Sequence, residues 1–199
     1  MSASSILEQA AKSVVVSGGI KPTGNDVVEA LLSLEKKARS EKVKYSFDRL
    51  VGNWRLCFIT GTKKTRAKAG IVLGAGRYLP PFVKITITYA PTSKSIEQQH
   101  FTAGEVVNRV IFGAIDLTVS GPIKFLPQKN ILAFDFTRVK VRFFGINLYS
   151  GYIRGGELKE QKFFDRSISQ QAFFTYFFVS ENAIAARGRG GGLAIWGRQ

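Results

Sequence analysis

Histidine and cysteine, two of the side chains most used in catalysis and metal binding, are scarce in this sequence. Its 199 residues include one histidine, His100, and one cysteine, Cys57. A Cys–His catalytic pair would have to combine these two residues. A tetrahedral zinc site made of cysteine and histidine alone is excluded, because it needs four ligands. His100 stands alone in the stretch EQQHF and is interpreted as an ordinary strand or loop residue. The sequence therefore predicts no catalytic residue and no metal site.

One glycine-rich segment is superficially similar to a dinucleotide-binding turn. Residues 74–81 read GAGRYLPP and follow a short apolar, strand-like segment. A dinucleotide turn needs a helix that begins there and holds the pyrophosphate at its N-terminus. The sequence Tyr78-Leu79-Pro80-Pro81 excludes that helix, so we reject the site and expect no required cofactor.

Positive charge is the strongest functional signal. The chain carries 29 Lys and Arg against 14 Asp and Glu, a net charge of +15. Such an excess predicts an anionic partner: nucleic acid, an acidic membrane surface or an acidic protein. Segment 61–70 contains four basic residues and no acid, and we predict that it binds anionic lipid headgroups. Its basic residues are Lys63, Lys64, Arg66 and Lys68.

No targeting or membrane-spanning segment is recognisable. The sequence has no run of about 18 apolar residues, and its start lacks the basic region of a signal peptide. Transit peptides are rich in arginine and poor in acids, whereas this start contains Glu8 and no arginine before Arg39. We expect a chain that works where it is made, or one whose targeting segment has been removed.

Hydrophobic periodicity divides the chain into a helical start and a β-rich remainder. Residues 4–16 suit a short helix, and residues 25–42 form an amphipathic helix capped by Thr23 and Asp26. After about residue 45 the pattern has period two, which predicts an antiparallel barrel or sandwich. We expect a helical region at 1–45 packed on a β domain at 46–199. The predicted strands are 53–60, 82–90, 104–113, 114–121, 130–139, 140–149, 171–180 and 193–196.

Motifs near the two ends of the β-rich region resemble those of a known family. The first strand opens with Gly52-Asn53-Trp54, and the chain closes with Arg187-Gly188 followed by Gly-Gly-Leu-Ala-Ile-Trp. This arrangement is similar to the plastid lipid-associated proteins, also called fibrillins or plastoglobulins, of chloroplasts and cyanobacteria. The resemblance covers roughly residues 25–199 and implies a mainly β fold, a lipocalin-like antiparallel β-barrel with N-terminal amphipathic helices.

The resemblance also implies a function. Such proteins are not conventional enzymes; they associate peripherally with thylakoids or lipid droplets, bind apolar molecules and serve thylakoid maintenance and photoprotection. We therefore expect a monomer that binds anionic lipids and a quinone, carotenoid or similar lipid or isoprenoid. Its expected location is the thylakoid or cytoplasm of a cyanobacterium, or a plastid thylakoid or plastoglobule.

Residue roles follow from the resemblance and from strand alternation. Gly52 and Trp54 match a lipocalin signature in which the tryptophan plugs the closed end of the barrel, with Arg198 or Arg187 stacked on it. The glycines that begin at Gly188 suit a tight hairpin before the closing strand. Inward-facing apolar residues are expected to line a core or a ligand cavity. They are Leu56, Phe58, Val83, Ile85, Ile87, Phe134, Phe136, Phe174, Tyr176 and Phe178.

Paired phenylalanines leave one face of strand 171–180 to be explained. Alternation directs one ring of each pair outward, where the N-terminal helices or a lipid would cover it. Two other functions also remain open. A bilin lyase of similar shape needs basic residues inside the barrel, for which Arg138, Lys140 and Arg142 are candidates if that face is inward; Val139, Val141 and Phe143 make the better inward set. Nucleic-acid binding would use the basic surface and the Arg-Gly stretch.

Overall fold

A computed structural model describes residues 1–16, 19–61, 76–92, 100–153 and 155–199. Within them the helices are α1 Ala3–Val15, α2 Gly24–Ser40 and α3 Gly156–Gln161, with 3-10 turns at Phe47–Arg49 and Ile168–Gln170. The strands are β1 Gly52–Thr60, β2 Gly76–Tyr78, β3 Val83–Pro91, β4 Thr102–Phe112, β5 Ile115–Leu126, β6 Ile131–Phe134, β7 Arg138–Phe143, β8 Ile146–Tyr152, β9 Ala172–Val179, β10 Ala183–Gly188 and β11 Leu193–Arg198.

Eight of these strands close into an antiparallel barrel, which confirms the predicted fold class. Neighbouring strands follow the order β4-β3-β1-β11-β10-β9-β6-β5, and β4 pairs with β5 to close the ring. β2 pairs with the C-terminal end of β1, which lies at what we call the upper end of the barrel. A closed barrel of eight strands has an interior that side chains can fill, or that can hold one small ligand.

β5 pairs with two different strands along one of its edges. Residues Ile123–Leu126 pair with β6 inside the barrel wall, whereas residues Ile115–Ser120 pair with β7. Pro122 lies where the partner changes, as expected for a residue that has no N–H to donate to a sheet ladder. β7 and β8 therefore leave the barrel together with the upper halves of β4 and β5. We call residues 83–86, 107–120, 138–143 and 146–152 the projecting sheet.

The N-terminal helices cover one side of the barrel. Leu7 on α1 and Val27 and Leu31 on α2 are fully buried in a cluster with outward-facing wall residues. Thr23 caps α2 as predicted, because its hydroxyl accepts a hydrogen bond of 3.2 Å from the Asp26 amide. The helices therefore cover the second phenylalanine pair of β9, Phe177 and Phe178, whereas Phe174 packs against the barrel interior. The wall residues of this cluster are Cys57, Phe58, Phe177, Phe178, Ala183, Ala185, Leu193 and Ile195.

The closed end of the barrel carries the predicted tryptophan plug. Trp54 is fully buried, donates a hydrogen bond of 2.7 Å to the Leu50 carbonyl, and lies 4.1 Å below the Arg198 guanidinium. Gly52 adopts a φ of 134°, and a Cβ there would lie 2.6 Å from the guanidinium. The Gly-x-Trp spacing thus leaves room for the arginine that seals this end, and Arg198 rather than Arg187 is the stacking residue.

Several element boundaries differ from the prediction. Predicted strand 130–139 is divided into β6 and β7, because the chain there changes its pairing from β9 to β8. The prediction missed β10, whose sequence AIAARG contains one β-branched residue. Segment 151–167, predicted to be an unpatterned connection, contains α3. The glycines at 188–192 form the predicted hairpin between β10 and β11, with Gly191 at a φ of 84°.

Candidate functional site

The lower half of the barrel interior is a packed floor. Trp54, Ile87, Phe134, Tyr176 and Trp196 are buried there, together with neighbouring apolar side chains. The Tyr89 and Tyr176 hydroxyls lie 2.7 Å apart and hydrogen-bond to each other. Burial raises the pKa of both tyrosines above the ordinary value, so the pair stays neutral. Of the predicted cavity wall, Ile87, Phe134 and Tyr176 thus belong to a filled core.

The upper half of the interior is an apolar mouth that is only half-buried. It is lined by Leu56, Phe136 and Phe174, which pack against the floor, and by Ile85, which lies two residues from the floor residue Ile87 on β3. The Phe174 ring lies 5.3 Å from the Trp196 ring, which joins the mouth to the floor. These four members of the predicted cavity wall are therefore partly open to solvent, unlike those of the floor.

Two predicted wall residues do not face the interior. Phe58 and Phe178 pack in the cluster under the helices. β-Bulges cause both errors: the register of β1 shifts between Leu56 and Phe58, and that of β9 shifts beside Phe177. An extra residue in a strand reverses the alternation beyond it, so the prediction that both rings point inward is wrong.

An apolar face continues from the mouth onto the projecting sheet. Cross-strand partners share one face of a sheet, and so do residues two apart along a strand. Ile85 pairs with Val110, Val110 with Leu117, and Leu117 with Val141. This inner face is apolar in nearly every row, and its outer rows are exposed to solvent. Its remaining large members are Val83, Phe112, Ile115, Val119, Val139, Phe143, Ile146 and Tyr149.

The opposite, outer face of the projecting sheet is polar and basic. Arg109 makes two hydrogen bonds to Asp116, of 2.9 and 2.7 Å, and these bonds lower the pKa of that carboxyl. Arg142 lies 3.9 Å from the same Asp116 carboxylate. Lys84 and Lys140 lie on this face too, and among the described residues neither has a carboxylate at ion-pair distance. The face therefore has an excess of positive charge.

The direction of the basic side chains bears on the bilin-lyase alternative. Arg138, Lys140 and Arg142 lie on the outer face, because each alternates with a valine or phenylalanine of the inner face. Arg138 pairs with Glu160 of α3 at 2.5 Å. Cations that would hold bilin propionates inside the barrel are therefore not provided by β7.

The other predicted residues have different positions. Arg187 does not stack on Trp54; it makes two hydrogen bonds of 2.5 Å to Glu35 and one of 2.6 Å to the Gly191 carbonyl, so it joins the closing hairpin to α2. The charged partner raises the pKa of Arg187. The predicted headgroup-binding residues Lys63, Lys64, Arg66 and Lys68 lie outside the described residues.

Sequence reasoning missed the tips of the projecting sheet. Two two-residue hairpin turns, Gly113-Ala114 and Phe144-Gly145, end the β4–β5 and β7–β8 hairpins side by side. The signal was present in the sequence, because a Phe-Phe-Gly-Ile stretch can place its second phenylalanine only in a turn if the flanking segments pair as strands.

Comparison with models of known protein families and with curated proteins finds no match for this chain. Across the described residues, no group of three or more His, Cys, Asp or Glu side chains is arranged to hold a metal ion. The described helices include none that is long and apolar enough to cross a bilayer. The barrel fold is compatible with binding a small apolar ligand.

Proposed function

We propose that this protein binds one apolar molecule of the lipid or isoprenoid type at the mouth of its barrel, without catalysing a reaction. The single observation that supports this most is the half-buried apolar lining of the mouth, which continues onto the inner face of the projecting sheet. Ligand sites are typically concave and mostly apolar. The packed floor below limits the ligand to the upper half of the barrel.

The resemblance to the fibrillin family adds detail to this proposal. It favours a quinone, a carotenoid or a related molecule as the ligand, and a photosynthetic membrane or lipid droplet as the location, with a role in thylakoid maintenance and photoprotection. The aromatic rings of Phe136 and Phe174 at the mouth suit a flat, conjugated head group, because such rings stack favourably on aromatic side chains.

Intrinsic fluorescence offers a direct test. Both tryptophans of the chain, Trp54 and Trp196, lie in the barrel interior, and Trp196 contacts the mouth residue Phe174. A benzoquinone with a ten-carbon tail is therefore expected to quench the emission saturably. The ligand should be recovered chemically unchanged after incubation.

Two neighbouring substitutions separate binding along the apolar inner face, which continues from the mouth, from adsorption elsewhere on the surface. Val119→Asn introduces an amide on the inner face, whereas Thr118→Asn places the same group on the outer face of the same strand. We expect at least a tenfold weaker quinone affinity for Val119→Asn and an unchanged affinity for Thr118→Asn, with melting curves checking that both fold. Absent saturation in the unsubstituted protein, or equal affinities in the two variants, would contradict the proposal.

A further inference from the structure

Exposed apolar side chains are concentrated at the tips of the projecting sheet. Phe144 is 76% exposed, Ile146 68% and Phe82 67%, and Phe112, Ile115, Phe143 and Leu148 beside them are also exposed. Contiguous apolar patches of this kind mark sites of interaction with membranes or other proteins. We call Phe82, Phe112–Ile115 and Phe143–Leu148 the apolar tip.

The apolar tip is one connected surface. The Phe144 amide donates a hydrogen bond of 3.0 Å to the Ala114 carbonyl, which joins the two hairpin turns. The Phe82 and Phe112 rings lie 5.9 Å apart and bring the start of β3 to the same edge. The tip therefore presents its rings together, at the end of the barrel opposite Trp54.

The conformation of Phe144 is unusual for its residue type. Phe144 has a φ of 47° and Gly145 a φ of 79°, the two positive values that a type I′ hairpin turn requires. Asn-Gly is the preferred sequence for such a turn, and a bulky residue at positive φ is strained. Keeping an exposed phenylalanine at this position lowers the stability of the turn, which points to a role for the ring outside the folded chain.

Basic residues lie in two cross-strand rows close behind the apolar tip. Arg142 is one residue from Phe143, and Lys84 is in the same cross-strand row; Lys140 is three residues from Phe143, with Arg109 in its row. At about 3.3 Å per residue these cations lie roughly 3–10 Å behind the tip. That spacing matches the 5–10 Å to which interfacial elements enter a bilayer.

We propose that the apolar tip inserts into an anionic lipid bilayer while Lys84 and Lys140, the cations of this face that have no ion pair among the described residues, contact the lipid headgroups. Anionic lipid supplies both the apolar phase and the negative charge that this arrangement lacks. A second copy of the chain could pair its own β8 with the uncharged edge strand β8. It is a poorer partner than anionic lipid, because both copies carry the same excess of positive charge. This proposal goes beyond ligand binding, because it concerns the apolar tip and does not require a ligand in the mouth of the barrel.

Vesicle flotation tests the apolar part. Unsubstituted protein is expected to float with vesicles of phosphatidylglycerol and phosphatidylcholine, and far less with phosphatidylcholine alone. Phe144→Asn should lower binding at least tenfold while the turn becomes no less stable, because Asn-Gly suits it. The matched control is Leu32→Gln, which removes a 41% exposed leucine from α2 and should leave binding unchanged.

A second pair of variants tests the basic part. The double variant Lys84→Gln, Lys140→Gln should bind anionic vesicles about twenty-five-fold more weakly, because each cation near the surface contributes about a fivefold factor. The control double variant Lys12→Gln, Lys36→Gln removes the same charge from exposed helix positions and should bind at most a few-fold more weakly. Equal losses in the two double variants would show that net charge alone is responsible, and this would overturn the proposed headgroup contacts.

Depth can be measured directly with Phe144→Trp and lipids brominated on their acyl chains. Quenching of the added tryptophan, beyond any quenching of the two native ones, is the expected result. An unquenched tryptophan, full binding by Phe144→Asn, or a stable dimer that does not bind vesicles would each overturn the proposal. Because no quinone is present in these experiments, their outcome is independent of the proposed ligand site.

Discussion

The barrel wall formed by β9, β10 and β11 and the projecting sheet are both rich in apolar residues, but they differ in what covers them. Ala185 and Ile195 on the outside of the wall are fully buried under α1 and α2. Leu117 and Phe143 on the inner face of the projecting sheet are exposed. The same chain therefore buries one apolar surface with its own helices and leaves another available, which indicates that the exposed surface has a use.

The largest expected effect separates the two regions by stability. Leu31→Ala, in the cluster under the helices, should lower the free energy of unfolding by about 3 kcal/mol, because it leaves a cavity at a fully buried site. Leu117→Ala should lower it by less than about 1 kcal/mol, because the side chain is already in contact with water. Urea unfolding followed by tryptophan fluorescence measures both. Equal losses would mean that the projecting sheet is covered in solution.

A smaller effect is expected from the contact that attaches the helices to the closing hairpin. Glu35→Ala should lower the free energy of unfolding by about 1–2 kcal/mol, because it leaves the Arg187 guanidinium without its carboxylate in a partly buried position. Glu29→Ala on the exposed side of α2 should change it by less than about 0.5 kcal/mol. A Glu35 variant as stable as its control would show that apolar packing alone holds α2.

The smallest effect concerns the thiol of Cys57 beneath α1. Burial raises the pKa of this thiol from 9.0 to about 12, and its sulfur lies 3.7 Å from the Ala11 carbonyl. At pH 8 Ellman's reagent should react only at the rate of helix undocking or unfolding, and faster in the Leu31→Ala variant. Immediate reaction in the unsubstituted protein would contradict the covered wall.

The same thiol makes a small contribution to pH dependence. Its pKa is higher in the folded than in the unfolded chain, so its contribution is complete below pH 9 and is lost as the pH rises toward 12. The free energy of unfolding should therefore fall less steeply over this range in a Cys57→Ala variant than in the unsubstituted protein.

Residue patterns were sufficient to predict the two N-terminal helices, most strands and the closed end of the barrel. Thr23 and Asp26 cap α2 as expected, and Arg198 stacks on Trp54. Both features depend on short-range spacing or on a strand register that apolar alternation specifies. For the same reason Val139 and Val141 were recognisable as the inward side of β7.

The remainder could not be predicted, because it depends on backbone irregularity and on long-range pairing. One extra residue in β1 and one in β9 direct Phe58 and Phe178 to the helix side, and nothing in the local sequence marks a bulge. Whether Phe136 lies at an open mouth or in a filled core depends on where the chain leaves β9 at the end of β6, which is a property of the whole sheet. The division of the predicted cavity wall into floor and mouth therefore required the structure.

The length of β5 joins the two ends of the molecule. Its twelve residues, about 40 Å of continuous strand, extend from the exposed tip to the floor of the barrel, and β4 is hydrogen-bonded to it along nearly the whole distance. This pair of strands connects the projecting sheet to the barrel wall. Ile115 at the tip and Phe125 in the floor therefore belong to one strand, and a single hydrogen-bonded pair of strands connects the exposed end of the molecule to its core.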